Sequence, residues 1–133
     1  MSLAVTVRLA SALAVALATL SPAAPASSQP AAAGDPASGE RIYARCQACH
    51  SLAYDRTGPR HCGVFGRKAG TVAGFDYSEA MRRSGIVWNA TTLDRFLAGP
   101  MVAMPGTTMG YAGVEDARER ADLIAYLRQA KCG

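Results

Sequence analysis

The chain has 133 residues, of which 50% are hydrophobic, and a formal net charge of +4. This length accommodates one domain and hardly two. The positive charges are scattered arginines rather than a basic stripe, which argues against nucleic-acid binding. Because alanine contributes much of the hydrophobic content, the large apolar residues alone would make a thin core. A buried cofactor could complete such a core.

The N-terminal segment has the pattern of an export signal. An uninterrupted apolar run over residues 9–20 follows a single arginine, and it is shorter than the roughly 20 residues that a membrane-spanning helix needs. We expect cleavage after Ala26, with a second possible site after Ala33 and an uncleaved membrane anchor as the alternative. The predicted organisation is a signal peptide, a small-residue linker and a single domain, at residues 1–26, 27–34 and 35–133.

Export would place the chain in the bacterial periplasm, with no stable membrane insertion after the signal is cleaved. Disulfides persist in that compartment, and bacteria attach haem covalently there. The four cysteines of the chain therefore have to be interpreted for an oxidising environment.

Beyond the linker, the residue pattern predicts helices separated by glycine-rich loops. Asp35 followed by Pro36 has the form of an N-cap and a first helical residue. Asn89 caps a later helix that ends at Gly99 and Pro100. Almost no strand signal is present, so the predicted fold class is all-α. The predicted elements are helices over 36–45, 78–83, 89–98 and 116–130, and loops over 51–71 and 101–113.

The last predicted helix carries an apolar stripe at helical spacing, which is typical of a face that packs on a core. We expect Ile42 and Tyr43 of the first helix to be its packing partners. The stripe consists of Ala117, Ala121, Ile124 and Leu127.

The segment RCQACH, residues 45–50, carries the chemistry of the chain. Two cysteines three residues apart and followed by a histidine are compatible with a redox dithiol, half of a zinc site or a covalent haem anchor. Zinc would need a second close ligand pair, which His61, Cys62 and Cys132 do not form. A thioredoxin-like pair would need an alternating strand and helix pattern. The haem interpretation uses every residue, because both cysteines would form thioethers and His50 would bind the iron.

With the motif in place, the chain resembles the class I c-type cytochromes, both the mitochondrial type and its periplasmic bacterial relatives. Five runs occur in the family's order, so the likeness extends from Asp35 to about Lys131. It implies an all-helical fold in which the N- and C-terminal helices pack together and loops wrap one covalently bound haem c with its iron. The matching runs are GERIYARCQACH, GPRHCGVFGRKAGTVAGFDYSEAMRRSGIVW, TTLDRFLAGP, MPGTTMGYAG and RADLIAYLRQA.

The resemblance assigns roles to individual residues around the haem. Cys46 and Cys49 are the attachment sites, and His50 and Met109 are the two axial iron ligands. Met101 and Met104 are rivals of Met109, although a methionine that precedes a proline is biased to extended backbone. Pro59 matches the residue whose carbonyl accepts the ring N–H of the axial histidine. The residues that match positions facing the haem propionates or the haem edge are Arg67, Tyr77, Trp88 and Tyr111.

Four positions depart from the common family pattern. Phe96 stands where a tyrosine is frequent, Met81 replaces a frequent asparagine, and Tyr111 replaces a frequent phenylalanine. Such changes near an iron should tune its reduction potential. His61 occupies a position that is usually apolar, and we interpret it as a structural residue rather than a third iron ligand.

A disulfide between Cys62 and Cys132 is expected from the same resemblance. In the family fold the loop that follows the Gly-Pro turn runs near the end of the last helix. Two free thiols would also be exposed to oxidation after export.

The function implied by the resemblance is one-electron transfer by a monomeric periplasmic carrier that is not an enzyme. A six-coordinate iron with histidine and methionine ligands leaves no open position for a substrate. A haem enzyme, a gas sensor and a fixed subunit of an oxidoreductase complex remain alternatives. The expected donor is a quinol:cytochrome c reductase, and the expected acceptor is a terminal oxidase or a photosynthetic reaction centre, with a methylotrophic partner also open.

The family's lysines around the exposed haem edge are largely missing from this chain. The stretch before Met109 carries no charge, and Arg45 is the obvious basic residue near the attachment site. We therefore expect docking with redox partners to depend little on ionic strength, because complementary charge mainly raises association rates.

Overall fold

The computed structural model describes Met1 and residues 33–133. The predicted signal peptide and most of the predicted linker lie outside the described residues, so that division of the chain stays a prediction. The helices are α1 (Pro36–Tyr43), α2 (Glu79–Arg83), α3 (Ala90–Ala98), α4 (Pro100–Ala103) and α5 (Ala117–Gln129), with a 3-10 helix at Ala44–Cys46.

The prediction of an all-α fold is confirmed. Within residues 33–133 the β structure is limited to one isolated antiparallel bridge between Lys68 and Val87. Among the helices of this described part, none is long and apolar enough to cross a membrane.

Helix α1 begins where the sequence places its cap. The carboxylate of Asp35 accepts hydrogen bonds from the backbone N–H groups of Ala37 and Ser38 at 3.1 and 3.2 Å, and Pro36 occupies the first helical turn. These groups would otherwise lack partners at a helix N-terminus. The 3-10 helix then carries the chain to Cys46, so a locally specified helix delivers the haem-attachment motif to its place.

Helices α1 and α5 pack directly against each other, which also confirms the predicted pairing of the N- and C-terminal helices. Tyr43 is 1% exposed and Leu123 is fully buried at this contact. A side chain at Gly39 would overlap the backbone of Asp122, so glycine permits the close approach. The backbone N–H of Asp35 donates to Oδ1 of Asp122 at 2.7 Å and ties the two helices together.

The predicted stripe of α5 is partly wrong. Ile124 and Leu127 are buried as expected, but Ala117 is exposed and Leu123 is buried instead. Helix α5 packs on α3 as well as on α1, so its buried face is wider and rotated from the stripe that the alanines suggested.

The predicted loop over 101–113 begins with the short helix α4. Gly99 and Pro100 end α3 and also start α4, because proline suits the first helical position. The N–H of Ala103 donates to the Gly99 carbonyl at 2.9 Å and closes this short helix. Met104 follows α4 and is buried in the core at 6% exposure.

The glycine-rich segment after His50 wraps the core without regular structure, as predicted. Backbone hydrogen bonds join it to the segment before α3, with the Trp88 N–H donating to the Arg67 carbonyl at 2.9 Å. At the C-terminus, a disulfide joins Cys62 to Cys132 with their Cα atoms 4.9 Å apart, so the expected pairing is present. The Gly63 N–H also donates to the Ala130 carbonyl at 2.6 Å, which holds the loop on the end of α5.

Candidate functional site

A cavity of about 350 Å³ opens between the 3-10 helix, the wrapping loop and α3 to α5. Its wall is mostly apolar, and side chains of the RCQACH motif face it together with a methionine from the C-terminal half of the chain. The proposed ligand and attachment residues that line it are Cys46, Cys49, His50 and Met109.

The attachment motif is folded as a tight turn. The backbone N–H groups of Cys49 and His50 donate to the Cys46 carbonyl at 3.1 and 2.9 Å, which brings both thiols and the imidazole to one side of the chain. Both thiols are free, with Cys46 half-buried and Cys49 exposed. Burial raises the pKa of Cys46, so its thiol is held in the neutral form.

His50 is buried at 7% exposure and is oriented by Pro59. Its Nδ1 lies 2.8 Å from the Pro59 carbonyl oxygen, and since a carbonyl only accepts, Nδ1 carries the proton. Nε2 therefore keeps its lone pair, which is the arrangement that a metal-binding histidine needs. Burial lowers the pKa of His50, against the opposing effect of the Pro59 carbonyl, so the ring is kept neutral.

Gly58 permits the close approach of the loop to this ring. A β-carbon at Gly58 would overlap the Cε1, Nδ1 and Nε2 atoms of His50. Gly58 is itself buried. The Gly58-Pro59 pair thus packs against His50 and supplies its hydrogen-bond acceptor.

Met109 is half-buried in the cavity wall, and its backbone N–H donates to Oγ1 of Thr107 at 3.2 Å. The two rival methionines are placed elsewhere, because Met101 is 58% exposed and Met104 is 6% exposed in the core. Neither Met101 nor Met104 lines the cavity, whereas Met81 does.

The residues expected near the haem propionates and haem edge also reach the cavity, and their contacts to haem stay predictions. Arg67 donates from its two terminal nitrogens to the carbonyls of Cys62 and Arg60, both at 2.9 Å. Its guanidinium therefore already holds the wrapping loop. Burial is the main influence on two of these groups, and it lowers the pKa of Arg67 and raises that of Tyr77. All four residues expected near the propionates and the haem edge line the cavity, namely Arg67, Tyr77, Trp88 and Tyr111.

Phe96, the position of one departure from the family pattern, is 6% exposed and lines the cavity. Its ring lies 5.1 Å from the Trp88 ring between centroids, at an interplanar angle of 52°. The two aromatic rings thus pack together in the cavity wall, and position 96 supplies no hydroxyl there.

His61 makes a contact that the sequence analysis did not predict. Its ring stacks on the ring of His50 with centroids 4.1 Å apart and an interplanar angle of 23°. Burial, followed by the effect of His50, lowers the pKa of His61 to about 3. The polar residue at a usually apolar position was the available signal, but the contact with His50 depends on how the loop folds.

The cavity residues fit a covalently bound haem. Two free thiols, a neutral imidazole with an available Nε2 and a methionine converge on a mostly apolar space. The zinc alternative finds no support in the described part of the chain, where no three His, Cys, Asp or Glu side chains form a metal-binding cluster.

The cytochrome c family profile matches residues 36–131. The chain belongs to the cytochrome c family. Cytochrome c2 of Blastochloris viridis is 45% identical over 107 residues, which cover 78% of this chain and 84% of that protein. Cytochrome c2 of Rhodomicrobium vannielii is 43% identical over 99 residues, which cover 72% of this chain and 79% of that protein.

Among solved structures, cytochrome cH from Methylobacterium extorquens is similar with a TM-score of 0.70 and 41% identity. The match covers 71% of this chain and 98% of that one. The all-helical cytochrome c fold that the sequence motifs implied is therefore confirmed. Membership of this family implies haem c as the covalent cofactor and electron transport, not enzymatic turnover, as the activity.

Proposed function

We propose that this cytochrome c is exported to the bacterial periplasm and carries single electrons between membrane complexes as a monomer. The observation that carries the proposal is the convergence of Cys46, Cys49, His50 and Met109 on one cavity. These side chains supply two attachment points and two iron ligands, which is what a six-coordinate c-type haem requires.

In this proposal the protein holds and orients the haem, and the haem iron supplies the change between ferric and ferrous states. Cys46 and Cys49 would anchor the haem, and His50 and Met109 would bind its iron through Nε2 and the thioether sulfur. The Pro59 carbonyl keeps the proton of His50 on Nδ1, so Nε2 stays available in both states. A methionine and histidine ligand pair would raise the reduction potential, and with both side chains bound the iron would have no open position for a substrate.

The proposed roles of the remaining residues follow from their places in the cavity wall. Arg67, Tyr77 and Trp88 bring hydrogen-bond donors toward the haem propionates, whose charge would otherwise be buried without partners. Tyr111 lies close to Met109 in the chain and covers the haem edge.

We propose a quinol:cytochrome c reductase as donor and a terminal oxidase or photosynthetic reaction centre as acceptor. The likeness to proteins named cytochrome c2 supports a carrier of this kind. The proposed mature chain starts after Ala26, with a linker over 27–34 and the cytochrome domain over 35–133. N-terminal sequencing of protein from the periplasmic fraction should begin at Ser27. A mature chain that retains the apolar run would contradict export with cleavage.

Absorption spectra of the purified oxidised and reduced protein test the haem assignment. We expect a weak near-infrared band from a methionine-sulfur-to-iron bond in the oxidised form and no ready binding of carbon monoxide in the reduced form. Haem should stay attached after denaturation and acid extraction in the wild type and be released from a Cys46→Ala, Cys49→Ala double variant. Carbon monoxide binding together with a missing band would favour a gas sensor or haem enzyme over a carrier.

A further inference from the structure

We propose that His61 is a positioning residue for His50, whose stacked ring sets the rotation of the axial imidazole plane. This inference rests on the proposed function, because it takes His50 as the axial ligand.

The two imidazole rings are in face-to-face contact. Their centroids are 4.1 Å apart and their planes differ by 23°. A planar neighbour at this distance resists rotation of the His50 ring, because turning either plane brings ring atoms into overlap. The His61 ring also contacts the Tyr43 ring in an edge-to-face arrangement, with centroids 5.7 Å apart and an interplanar angle of 61°.

The loop holds His61 firmly at this position. The N–H of His61 donates to the Ser51 carbonyl at 2.9 Å, and its carbonyl accepts from the Val64 N–H at 3.0 Å. The next residue, Cys62, is bonded to Cys132. The backbone on both sides also accepts from Arg67, so the His61 ring is carried by a fixed segment.

The hydrogen bond to Pro59 does not by itself determine the plane of the His50 ring. A bond from Nδ1 to one carbonyl oxygen fixes the tautomer and the direction of Nδ1, but the accepting geometry of a carbonyl is broad. The ring can therefore tilt about this bond unless a flat surface restrains it. His61 provides that surface.

The choice of histidine at this position is not explained by stability. Nδ1 of His61 is buried without a hydrogen-bond partner within the described residues, as is the hydroxyl of Tyr43. A buried unpaired polar atom is destabilising relative to an apolar group of the same shape. Because this nitrogen bonds to no other group among the described residues, the interaction through which His61 can act on His50 is the contact between the two ring planes. Groups that contact a metal ligand commonly control its orientation and tune the metal.

Three variants of the haem-loaded full protein test the proposal. His61→Phe keeps a planar ring and removes both nitrogens, whereas His61→Leu and His61→Met remove the plane and keep an apolar side chain. Two aliphatic variants are made so that the comparison is still possible if only one of them is obtained with haem bound. The measurement is the spread of the haem methyl resonances in the NMR spectrum of the oxidised protein, which reports the orientation of the axial ligand planes.

We expect the wild-type spread in His61→Phe and a redistributed spread in both aliphatic variants, with the near-infrared methionine band kept in all three. Wild-type spectra in the aliphatic variants would overturn the proposal, as would a change in His61→Phe as large as theirs. A failure of the proposed function is distinguishable, because it would appear in the unmodified protein as a missing methionine band.

Discussion

The histidine side and the methionine side of the cavity are built very differently. His50 is buried, hydrogen-bonded to Pro59, packed against Gly58 and stacked on His61. Met109 is half-buried and lies in a loop, where Thr107 accepts from its backbone N–H. Beside it, a side chain at Gly110 would meet nothing within 4 Å.

This difference indicates that the two ligand positions respond differently to change. The histidine side is preorganised by contacts from several segments, so substitutions there disturb the fold as well as the site. On the methionine side, Met109 is only half-buried and its backbone N–H bonds within its own loop. Substitutions there should therefore alter ligation and leave the rest of the protein intact.

The largest expected effect follows from closing the space beside His50. Gly58→Ala would place a β-carbon into the imidazole ring, so we expect loss of haem-loaded protein. The matched control on the methionine side is Gly99→Ala, because Gly99 lies outside the cavity wall and its β-carbon would come no nearer than 3.8 Å to a neighbouring atom. This variant should load haem normally. The measurement is the yield of covalent haem per polypeptide. Equal yields from the two variants would contradict the claim that the sides differ in tolerance.

Removal of the proposed sulfur ligand should have the next largest effect. Met109→Ala is expected to abolish the near-infrared band and to permit carbon monoxide binding, while the protein still folds because Met109 is only half-buried. Met101→Ala is the control, since Met101 is 58% exposed and lies outside the cavity wall. If the band survived in Met109→Ala, another side chain would have to be the ligand.

The disulfide strengthens the histidine side, because Cys62 directly follows His61. A Cys62→Ser, Cys132→Ser double variant removes a crosslink between residues 70 positions apart. The chain-entropy treatment gives an upper bound of about 4 kcal/mol for the loss in the free energy of unfolding. We expect a smaller loss, because attached haem already restrains the unfolded chain. Denaturant titration measures this loss. Thiol titration of denatured, unreduced holoprotein should find no reactive cysteine, and two reactive thiols would contradict the bridge.

The smallest expected effect concerns the surface on the methionine side. Met101 and Val102 are 58% and 88% exposed, and residues 99–113 contain no charged side chain. Arg45 is paired with Glu119 through contacts of 2.6 and 2.9 Å, and the hydrogen bond from Arg45 lowers the pKa of Glu119. A docking face of this kind offers few charges for salt to screen.

Electron transfer with the natural redox partner should therefore slow by less than about tenfold between low salt and several hundred millimolar salt. Stopped-flow oxidation across an ionic-strength series measures the effect. Val102→Lys adds a charge to the exposed position and should steepen the salt dependence. A fall of two orders of magnitude in the wild type would mean that arginines from elsewhere surround the docking face.

The sequence by itself determined the local features of this protein. Asp35 and Asn89 specify helix starts through hydrogen bonds to N–H groups only two or three residues away, and such short-range bonds are visible as residue patterns. The spacing of Cys46, Cys49 and His50 is also a short-range residue pattern, and it indicates haem attachment. The choice of Met109 and the Cys62–Cys132 pairing came from family likeness, which carries information about distant parts of the chain.

Only the tertiary structure decided which side chains meet across the fold. Leu123 is buried and Ala117 exposed because α5 packs on two helices at once. His61 stacks on His50 because the wrapping loop returns to the cavity and is held there. Arg45 forms an ion pair with Glu119, which lies 74 positions further along the chain. Contacts of this kind depend on the mutual placement of several elements, and no local residue pattern encodes that placement.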